Sequence, residues 1–235
     1  YPAADWLKNA LGHFSGPEIA AVGGPAITPE SDTLRQKASG LVYSSPLVSA
    51  GYVYRYLPRP KRFVDDYPSC NFLVRRQAFR EAGGFSTGFW PGEDTVFCLK
   101  IARDLKKKIV YDPKVLVYHH RRSLFYAHLK QIANYATHRG YFVKKFPETS
   151  LRPAYFIPSL FIVGLMAGLP ASLLNPTFKI FYNSALFFYL TIVLIFSLRK
   201  DFRLIFLVFW GIIFSHLIYG LFFIRGLFSG KLKEE

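Results

Sequence analysis

The amino-acid sequence predicts an α/β domain followed by an α-helical membrane region. In the first half, short apolar segments bounded by Gly, Pro and Asp alternate with segments of helical spacing, which is typical of an α/β domain. In the last third, three long runs contain no charged residue, at 154–178, 180–198 and 204–224. The chain of 235 residues is 51% apolar, which excludes a disordered protein because such a sequence can bury a core.

The positive charge of the chain, +15, is unevenly distributed. Residues 119–153 contain seven Lys or Arg and a single acid, Glu148, directly before the apolar runs. A basic excess suits either nucleic acid or an anionic membrane surface. Because the excess lies beside the membrane runs and no nucleic-acid-binding motif is present, we expect membrane lipids as a partner and no nucleic acid. Two cysteines, Cys70 and Cys98, exclude a disulfide-rich scaffold.

Several segments of the first half have a clear local pattern. The apolar stretch at the end of 18–27 predicts a buried strand that leads into a Gly-Gly turn. Residues 77–82 predict a short helix that ends at Gly83-Gly84. The spacing of apolar residues predicts a helix over 93–105. The sequence then predicts two short strands, at 108–111 and 114–118, around an Asp-Pro turn.

The basic segment that follows, 123–146, predicts an amphipathic helix. Its apolar stripe and its cationic residues lie on different faces. Such a helix either lies in the membrane interface or packs on the soluble domain, and the sequence leaves both alternatives open. The stripe consists of Phe125, Leu129, Ile132 and Ala136, and the cations are Lys130, Arg139, Lys144 and Lys145.

Each charge-free run is long enough for a helix that crosses about 30 Å of hydrocarbon. We predict spans at 154–174, 180–198 and 204–224, and the basic residues before the first run place the N-terminal domain in the cytoplasm. Three crossings put the tail outside, although the tail is basic. The first run contains Pro158, Gly164, Gly168 and Pro170, so a re-entrant hairpin is the alternative that keeps the tail inside. The tail cations are Arg225, Lys231 and Lys233.

Two constellations could carry chemistry. The acidic pair Glu93-Asp94 begins a predicted helix after an aromatic, glycine-rich loop, where carboxylates either stabilise the helix start or face a ligand. The run His119-His120-Arg121-Arg122 follows a predicted strand. Its imidazole and guanidinium groups suit a metal or a phosphate, and the alternative is a basic cluster that only meets lipid headgroups.

The order of these signals resembles a known family. The resemblance covers about residues 1–123 and is densest in YPSCNFLVRRQAFREAGGFSTGFWPGEDTVFCLKIARDLKKKIVYDPKVLVYHHRRS. This stretch resembles the C-terminal half of the catalytic domain of family 2 glycosyltransferases, which are inverting enzymes with the GT-A fold. The first residues, YPAADWLKNAL, resemble the segment that follows the family's metal-binding Asp-x-Asp. That motif is therefore expected just before Tyr1, together with the nucleotide-binding half, and this chain alone is expected to be inactive.

The resemblance implies roles for single residues. Asp94 matches the general base that deprotonates the acceptor hydroxyl, and Glu93 is its orienting neighbour. One histidine of the pair matches a ligand near the donor diphosphate and its Mg²⁺ or Mn²⁺, and the sequence does not decide which. The residues expected to bind the substrate or its diphosphate are Asn71, Arg121 and Arg122. The Gln-x-x-Arg-Trp motif of processive synthases is absent, which favours transfer of a single sugar.

We therefore expect three regions: the C-terminal part of a GT-A-like catalytic domain (1–122), a basic amphipathic interfacial helix or linker (123–152) and a transmembrane region (153–235). The expected function is transfer of a sugar from a nucleotide-sugar donor to a lipid-linked or glycan acceptor. The expected location is a bacterial inner membrane, with the catalytic part on the cytoplasmic side. The alternative is a non-catalytic membrane scaffold or transport-associated subunit that binds anionic lipid or glycan.

Overall fold

The computed structural model describes residues 1–232. The last part of the predicted third region, 233–235, and with it the tail cation Lys233, lies outside the described residues. Helices dominate the structure, and the sheet is small. The strands are β1 Ile19–Gly23, β2 Ala26–Ile27, β3 Arg62–Val64, β4 Phe72–Val74, β5 Lys108–Tyr111 and β6 Val117–Tyr118.

The helices divide into short ones in the α/β domain and long ones after it. The short helices are α1 Trp6–Leu11, α2 Leu34–Ser44, α3 Pro46–Ser49, α4 Arg76–Glu81 and α5 Glu93–Leu99. The later helices are α6 Tyr126–Lys145, α7 Pro147–Ser150, α8 Pro153–Leu174, α9 Pro176–Ser197 and α10 Phe202–Phe228.

The main sheet is mixed, with the strand order β3-β5-β1-β4. Its two central strands, β1 and β5, are parallel, and both edge strands run antiparallel to their neighbours. The chain continues from the two central strands into β2 and β6, which pair in parallel as a second, two-stranded sheet. The carboxyl ends of two parallel pairs therefore lie at one edge of the domain, which is where α/β proteins commonly bind ligands.

The local patterns of the α/β domain are largely confirmed. The predicted strands at 18–27 and 108–111 form, and the helix predicted at 77–82 is α4. Its end is set by Gly83 and Gly84, whose φ values of 75° and 61° suit glycine. Two predictions are too long. The helix predicted over 93–105 is α-helical only to Leu99 and continues as a π-helical turn, and the strand predicted at 114–118 is only β6.

The amphipathic segment forms α6, which packs on the α/β domain. Near its start, Nδ1 of His128 is hydrogen-bonded to the Ser39 hydroxyl of α2, at 2.8 Å. Near its end, the ring of Phe142 lies against Phe89 of the loop before α5. The helix therefore packs on the soluble domain, which is one of the two alternatives that the sequence leaves open. Because α6 buries residues on several sides, it is part of the folded unit that carries the site.

Three helices, α8, α9 and α10, are long and apolar enough to cross a membrane. They match the three predicted spans within a few residues. The re-entrant alternative is wrong, because α8 is one continuous helix of 22 residues with Pro158 and Pro170 inside it. A single residue, Asn175, separates α8 from α9, and its side chain accepts a hydrogen bond from the Phe178 N–H at 3.0 Å.

Glycines allow α6 and α10 to touch backbone to backbone. A Cβ atom on Gly226 would lie 2.0 Å from the Thr137 carbonyl oxygen, and one on Gly140 would lie 2.1 Å from the Phe223 carbonyl oxygen. Such small residues permit the close approach by which apolar helices associate. Gly164 of α8 is different, because a Cβ atom there would meet nothing within 4 Å.

We predict that Gly226→Ala destabilises the protein and that Gly164→Ala does not. The added methyl group of Gly226→Ala overpacks the α6–α10 contact, which costs about 1–3 kcal/mol. Thermal unfolding of both variants in detergent measures the difference. Equal unfolding temperatures for the two variants would contradict the close contact between α6 and α10.

Candidate active site

The candidate site lies at the domain edge where the parallel strands end. The loop 69–71 precedes β4 and reaches the same edge, because Phe72 pairs with Gly23 at the carboxyl end of β1. On one side of this loop lies the start of α5 with the acidic pair. On the other side lie β2, β6 and the His-Arg run, since the His119 N–H donates to the Ile27 carbonyl at 2.8 Å.

Asn71 holds this edge together from inside. It is only 2% exposed, and its side-chain N–H groups donate to the carbonyl oxygens of Gly24 (2.6 Å) and Val115 (2.8 Å). Its side-chain oxygen accepts a hydrogen bond from the indole of Trp6 at 2.9 Å. The structure therefore places Asn71, which the sequence suggests as a substrate ligand, in the frame beneath the site rather than on its surface.

The acidic pair is partly exposed, and its two members differ in their contacts. Asp94 accepts hydrogen bonds from the N–H of Ser69 (3.2 Å) and from its neighbour Thr95 (2.8 Å). Glu93 accepts one from the Gly92 N–H at 3.0 Å. Gly92 has φ 127°, a conformation that favours glycine, and this turn directs the chain into α5. Asp94 is thus the member tied to the loop 69–71.

A buried ion pair lies directly behind Asp94. Asp66 is 2% exposed, and Arg139 of α6 donates to its carboxylate. The same guanidinium donates to the Thr95 hydroxyl at 3.0 Å, and that hydroxyl donates to Asp66 at 3.1 Å. Arg55 adds a second cation, 3.5 Å from the Asp66 carboxylate. Sequence reasoning missed this network, because its members are far apart in the chain.

The network and the burial shift the pKa values of the two aspartates in opposite directions. Burial alone would raise the pKa of Asp66, but the nearby Arg139 and Arg55 outweigh it and hold that pKa below its usual range. Asp94 has no such direct partner. Burial, followed by repulsion from Asp66 and Glu93, raises the pKa of Asp94 to about 6. A carboxylate with a pKa near neutrality is suited to accept a proton at physiological pH.

The His-Arg run divides into inner and outer residues. Arg121 is 8% exposed, and its guanidinium donates to the Ala26 carbonyl and to the Thr28 hydroxyl. The structure therefore gives Arg121 a contact with β2 and not an open phosphate-binding position. His119, His120 and Arg122 are exposed.

Asp32 orients His120 and is a second residue that sequence reasoning missed. Its buried carboxylate contacts His120 Nδ1 and accepts the N–H of Arg121. A carboxylate on Nδ1 favours the tautomer that leaves the Nε2 lone pair available, which is the usual arrangement behind a metal-bound histidine. His119 has no such carboxylate contact. Burial and then the charge of Arg121 lower its pKa.

The described residues do not complete a metal site. No group of three His, Cys, Asp or Glu side chains in residues 1–232 could hold an ion. His120 with Asp32 behind it supplies one suitable ligand. The ring of Tyr1 lies 6.3 Å from the ring of His120, and the Tyr1 amino group donates to the Tyr118 carbonyl at 2.8 Å.

The acidic and the basic sides face each other across the loop 69–71. Cys70 lies in this loop, and partial burial raises the pKa of its thiol, while the nearby Arg121 lowers that pKa and the nearby Asp94 raises it. The structure thus brings Asp94 and Arg121 within electrostatic reach of the same residue of this loop. Comparison of the chain with protein families, curated proteins and solved structures finds no match.

We predict that Asn71→Ala lowers the free energy of unfolding by about 1–3 kcal/mol, because buried carbonyl groups lose their donor. Asn71→Asp is the matched variant, since it keeps the size of the side chain but loses the donating N–H groups. Denaturant unfolding of both variants measures the effect. If both unfold like the wild type, Asn71 does not hold the edge.

Proposed function

We propose that the chain is the membrane-anchored catalytic part of an inverting glycosyltransferase. It moves a sugar from a nucleotide-sugar donor to a lipid-linked or glycan acceptor at the cytoplasmic face. The observation that carries the proposal is Asp94, a partly exposed carboxylate at the ligand-binding edge whose pKa is raised to about 6. The resemblance of residues 67–123 to family 2 glycosyltransferases supports the same assignment and the GT-A fold.

In this reaction Asp94 is the general base. The acceptor hydroxyl oxygen attacks the anomeric carbon of the donor sugar, and its proton passes to the Asp94 carboxylate. The bond from that carbon to the nucleoside diphosphate breaks on the opposite side, so the configuration inverts and the diphosphate leaves. A positioned base of this kind contributes about 10²–10⁴-fold to the rate. The Ser69 and Thr95 N–H groups fix the direction in which the carboxylate points.

The donor side of the site consists of the exposed members of the His-Arg run. Arg122 can form a forked, charge-assisted contact with the departing diphosphate. Mg²⁺ or Mn²⁺ belongs to the proposal, and His120 Nε2 is the ligand that this chain offers. Because residues 1–232 do not complete a coordination shell, we assign no step to the metal. Residues joined to Tyr1 on its N-terminal side would lie within reach of His120, since each residue adds only about 3.8 Å.

The alternative function is a membrane scaffold that binds anionic lipid or glycan without turnover. The internal contacts of Arg121 and Asn71 favour it, because they turn two suggested ligands into structural residues. The raised pKa of Asp94 favours the enzyme. An ionised, half-buried carboxylate beside two other acids destabilises the fold at neutral pH. A protein that acts only as a scaffold has no use for such a destabilising group, whereas an enzyme uses it as a base.

We predict that Asp94→Asn abolishes sugar transfer by the full-length protein and leaves the fold intact. At pH 7 the variant is at least as stable as the wild type, because the repulsion between Asp94, Asp66 and Glu93 is removed. The stability difference shrinks as the pH falls from about 6 toward 4, where Asp94 becomes protonated. Release of nucleoside diphosphate and thermal unfolding are the two measurements.

The matched control is Asp104→Asn, which removes an exposed acid shortly after α5. It should transfer sugar at the wild-type rate. Undiminished transfer by Asp94→Asn would remove Asp94 as the base, and no turnover by the wild type with any nucleotide sugar would favour the scaffold.

The pH dependence of the reaction tests the base independently. Because the ionised form of Asp94 accepts the proton, we predict that kcat/KM falls about tenfold per pH unit below the pKa of about 6. The measurement is a pH–rate profile over about 3.5 pH units, from about pH 4.5 to about pH 8. A rate that stays constant down to pH 4.5 would mean that another group accepts the proton.

A further inference from the structure

The helix α10 is held by other parts of the protein along nearly its whole length. In its first half, Val208 and Ile212 pack in one buried cluster with Val42 of α2 and Leu124. At its centre, the Ser215 hydroxyl is 3.1 Å from Nε2 of His128 in α6. The contact between α10 and the α/β domain therefore begins within two helical turns of the start of α10.

The contacts continue to the end of α10 and beyond it. Gly226 touches Thr137 of α6 backbone to backbone. Just after the helix, the Ser229 carbonyl accepts a hydrogen bond from Lys144 at 2.7 Å. Leu232 then packs in a buried cluster with Phe89 of the loop before α5. The tail thus lies against the domain that carries the candidate site.

The length of this contact is incompatible with a membrane crossing by α10. Val208 and Ser229 are separated by about 32 Å along a helix, which equals the thickness of the hydrocarbon layer. If α10 crossed the bilayer, α6 beside it would enter the hydrocarbon with its buried Arg139 and its exposed Lys144. Charged side chains in the hydrocarbon are expensive, and α2 and the loop before α5 would have to follow them.

The side-chain hydrogen bonds that join α8 and α9 to α10 lie in the half of each helix away from the α8–α9 turn. In α8 the Ser159 hydroxyl donates to the Gly220 carbonyl at 3.1 Å. In α9 the Tyr189 hydroxyl is 2.9 Å from Nδ1 of His216. Further out, the two helices contact each other, as a Cβ on Gly168 would lie 2.6 Å from the Tyr182 ring. This outer part forms an antiparallel hairpin.

The outer part of the hairpin exposes large apolar side chains on all sides. Each whole helix, from its base to the hairpin tip, has 22 residues, enough to cross the hydrocarbon layer at 1.5 Å per residue. The exposed residues include Leu160, Val163, Met166, Leu169, Leu173, Ile180, Phe181, Phe187 and Phe188.

The helix α10 exposes apolar side chains on one face only. These positions follow one another at intervals of four or seven residues, so they form a stripe along the helix. The opposite face is the one that packs on α6 and α2. Helices that lie in the boundary between lipid and water typically carry Trp, Phe and Leu on their apolar face. The stripe consists of Phe202, Phe206, Trp210, Phe214, Leu221 and Phe228.

We propose that the α8–α9 hairpin is the part of residues 1–232 that crosses the bilayer, whereas α10 lies along the membrane surface with its aromatic stripe in the lipid. Two crossings return the chain to the side of the domain. The basic residues of 1–232 agree with this topology, because Lys179 at the hairpin tip is the only one of them placed on the far side. The rest stay on the cytoplasmic side, as the positive-inside rule requires.

The first test is the reaction of single cysteines with a membrane-impermeant maleimide in inside-out and right-side-out vesicles of expressing cells. The exposed native Cys70 marks the side of the domain, in a variant with Cys98→Ser. Lys179→Cys and Gly230→Cys, built with both native cysteines replaced by Ser, mark the hairpin tip and the tail. A Cβ on Gly230 would meet nothing within 4 Å, so this substitution does not disturb packing.

We expect Gly230→Cys to react from the same side as Cys70 and Lys179→Cys to react from the opposite side. Reaction of Gly230→Cys from the side of Lys179→Cys would mean three crossings and would overturn the proposal. Reaction of Lys179→Cys from the side of Cys70 would also overturn it, because the hairpin would not cross. Neither result depends on whether the protein is an enzyme.

The depth of α10 in the bilayer provides a second test. Nitroxide labels at Phe206, Phe214 and Phe228 should show similar, shallow depths by collision with oxygen and with a nickel chelate. Labels at Ile180 and Phe187 of α9 are the matched control, and their depths should differ strongly. A depth profile along α10 that is deepest at Phe214 and shallow at both ends would overturn the proposal.

Discussion

The buried ion pair between Asp66 and Arg139 is the interaction on which the candidate site depends. Arg139 belongs to α6, and through Thr95 it binds the first turn of α5, which carries Asp94. The next residue, Gly140, touches α10 backbone to backbone. The pair therefore joins the membrane-side helices to the candidate base. Loss of one partner of such a pair costs about 3–5 kcal/mol, because the other charge is left buried and uncompensated.

After burial, which is the largest cause, the same pair contributes to the raised pKa of Asp94. Arg139 and Arg55 keep Asp66 ionised, and the negative charge of Asp66 acts on Asp94. The contacts that fix α5 on α6 thus also contribute to the raised pKa of the candidate base. The Asp66–Arg139 pair therefore helps to position the candidate base and, after burial, also helps to raise its pKa.

Local patterns in the sequence predict the elements whose cause is local. The turn at Gly83-Gly84, strand β5 and the three long apolar helices follow from spacing, composition and length, and each forms where it is predicted. The acidic pair is also visible in the sequence, as Glu93 and Asp94 start α5.

Contacts between distant residues are not visible in this way. Asp66 and Arg139 are separated by 73 positions, and Asp32 and His120 by 88. Asn71 shows the same limit, because only the fold reveals that its amide is used internally. The path of α10 depends on its neighbours, which hydropathy alone does not contain.

The central claim is that Asp94 is a base tuned by the Asp66–Arg139 pair, and direct titration of its carboxyl group tests this claim without a substrate. Carbon-13 NMR of selectively labelled protein, with Asp94→Asn for assignment, gives the pKa in the wild type and in the neutral double variant Asp66→Asn/Arg139→Gln. We expect a pKa of about 6 in the wild type, and a lower pKa in the double variant because the repulsion from Asp66 exceeds the attraction by Arg139. A wild-type Asp94 that titrates near 3.9, the ordinary value for an aspartate, would contradict the account.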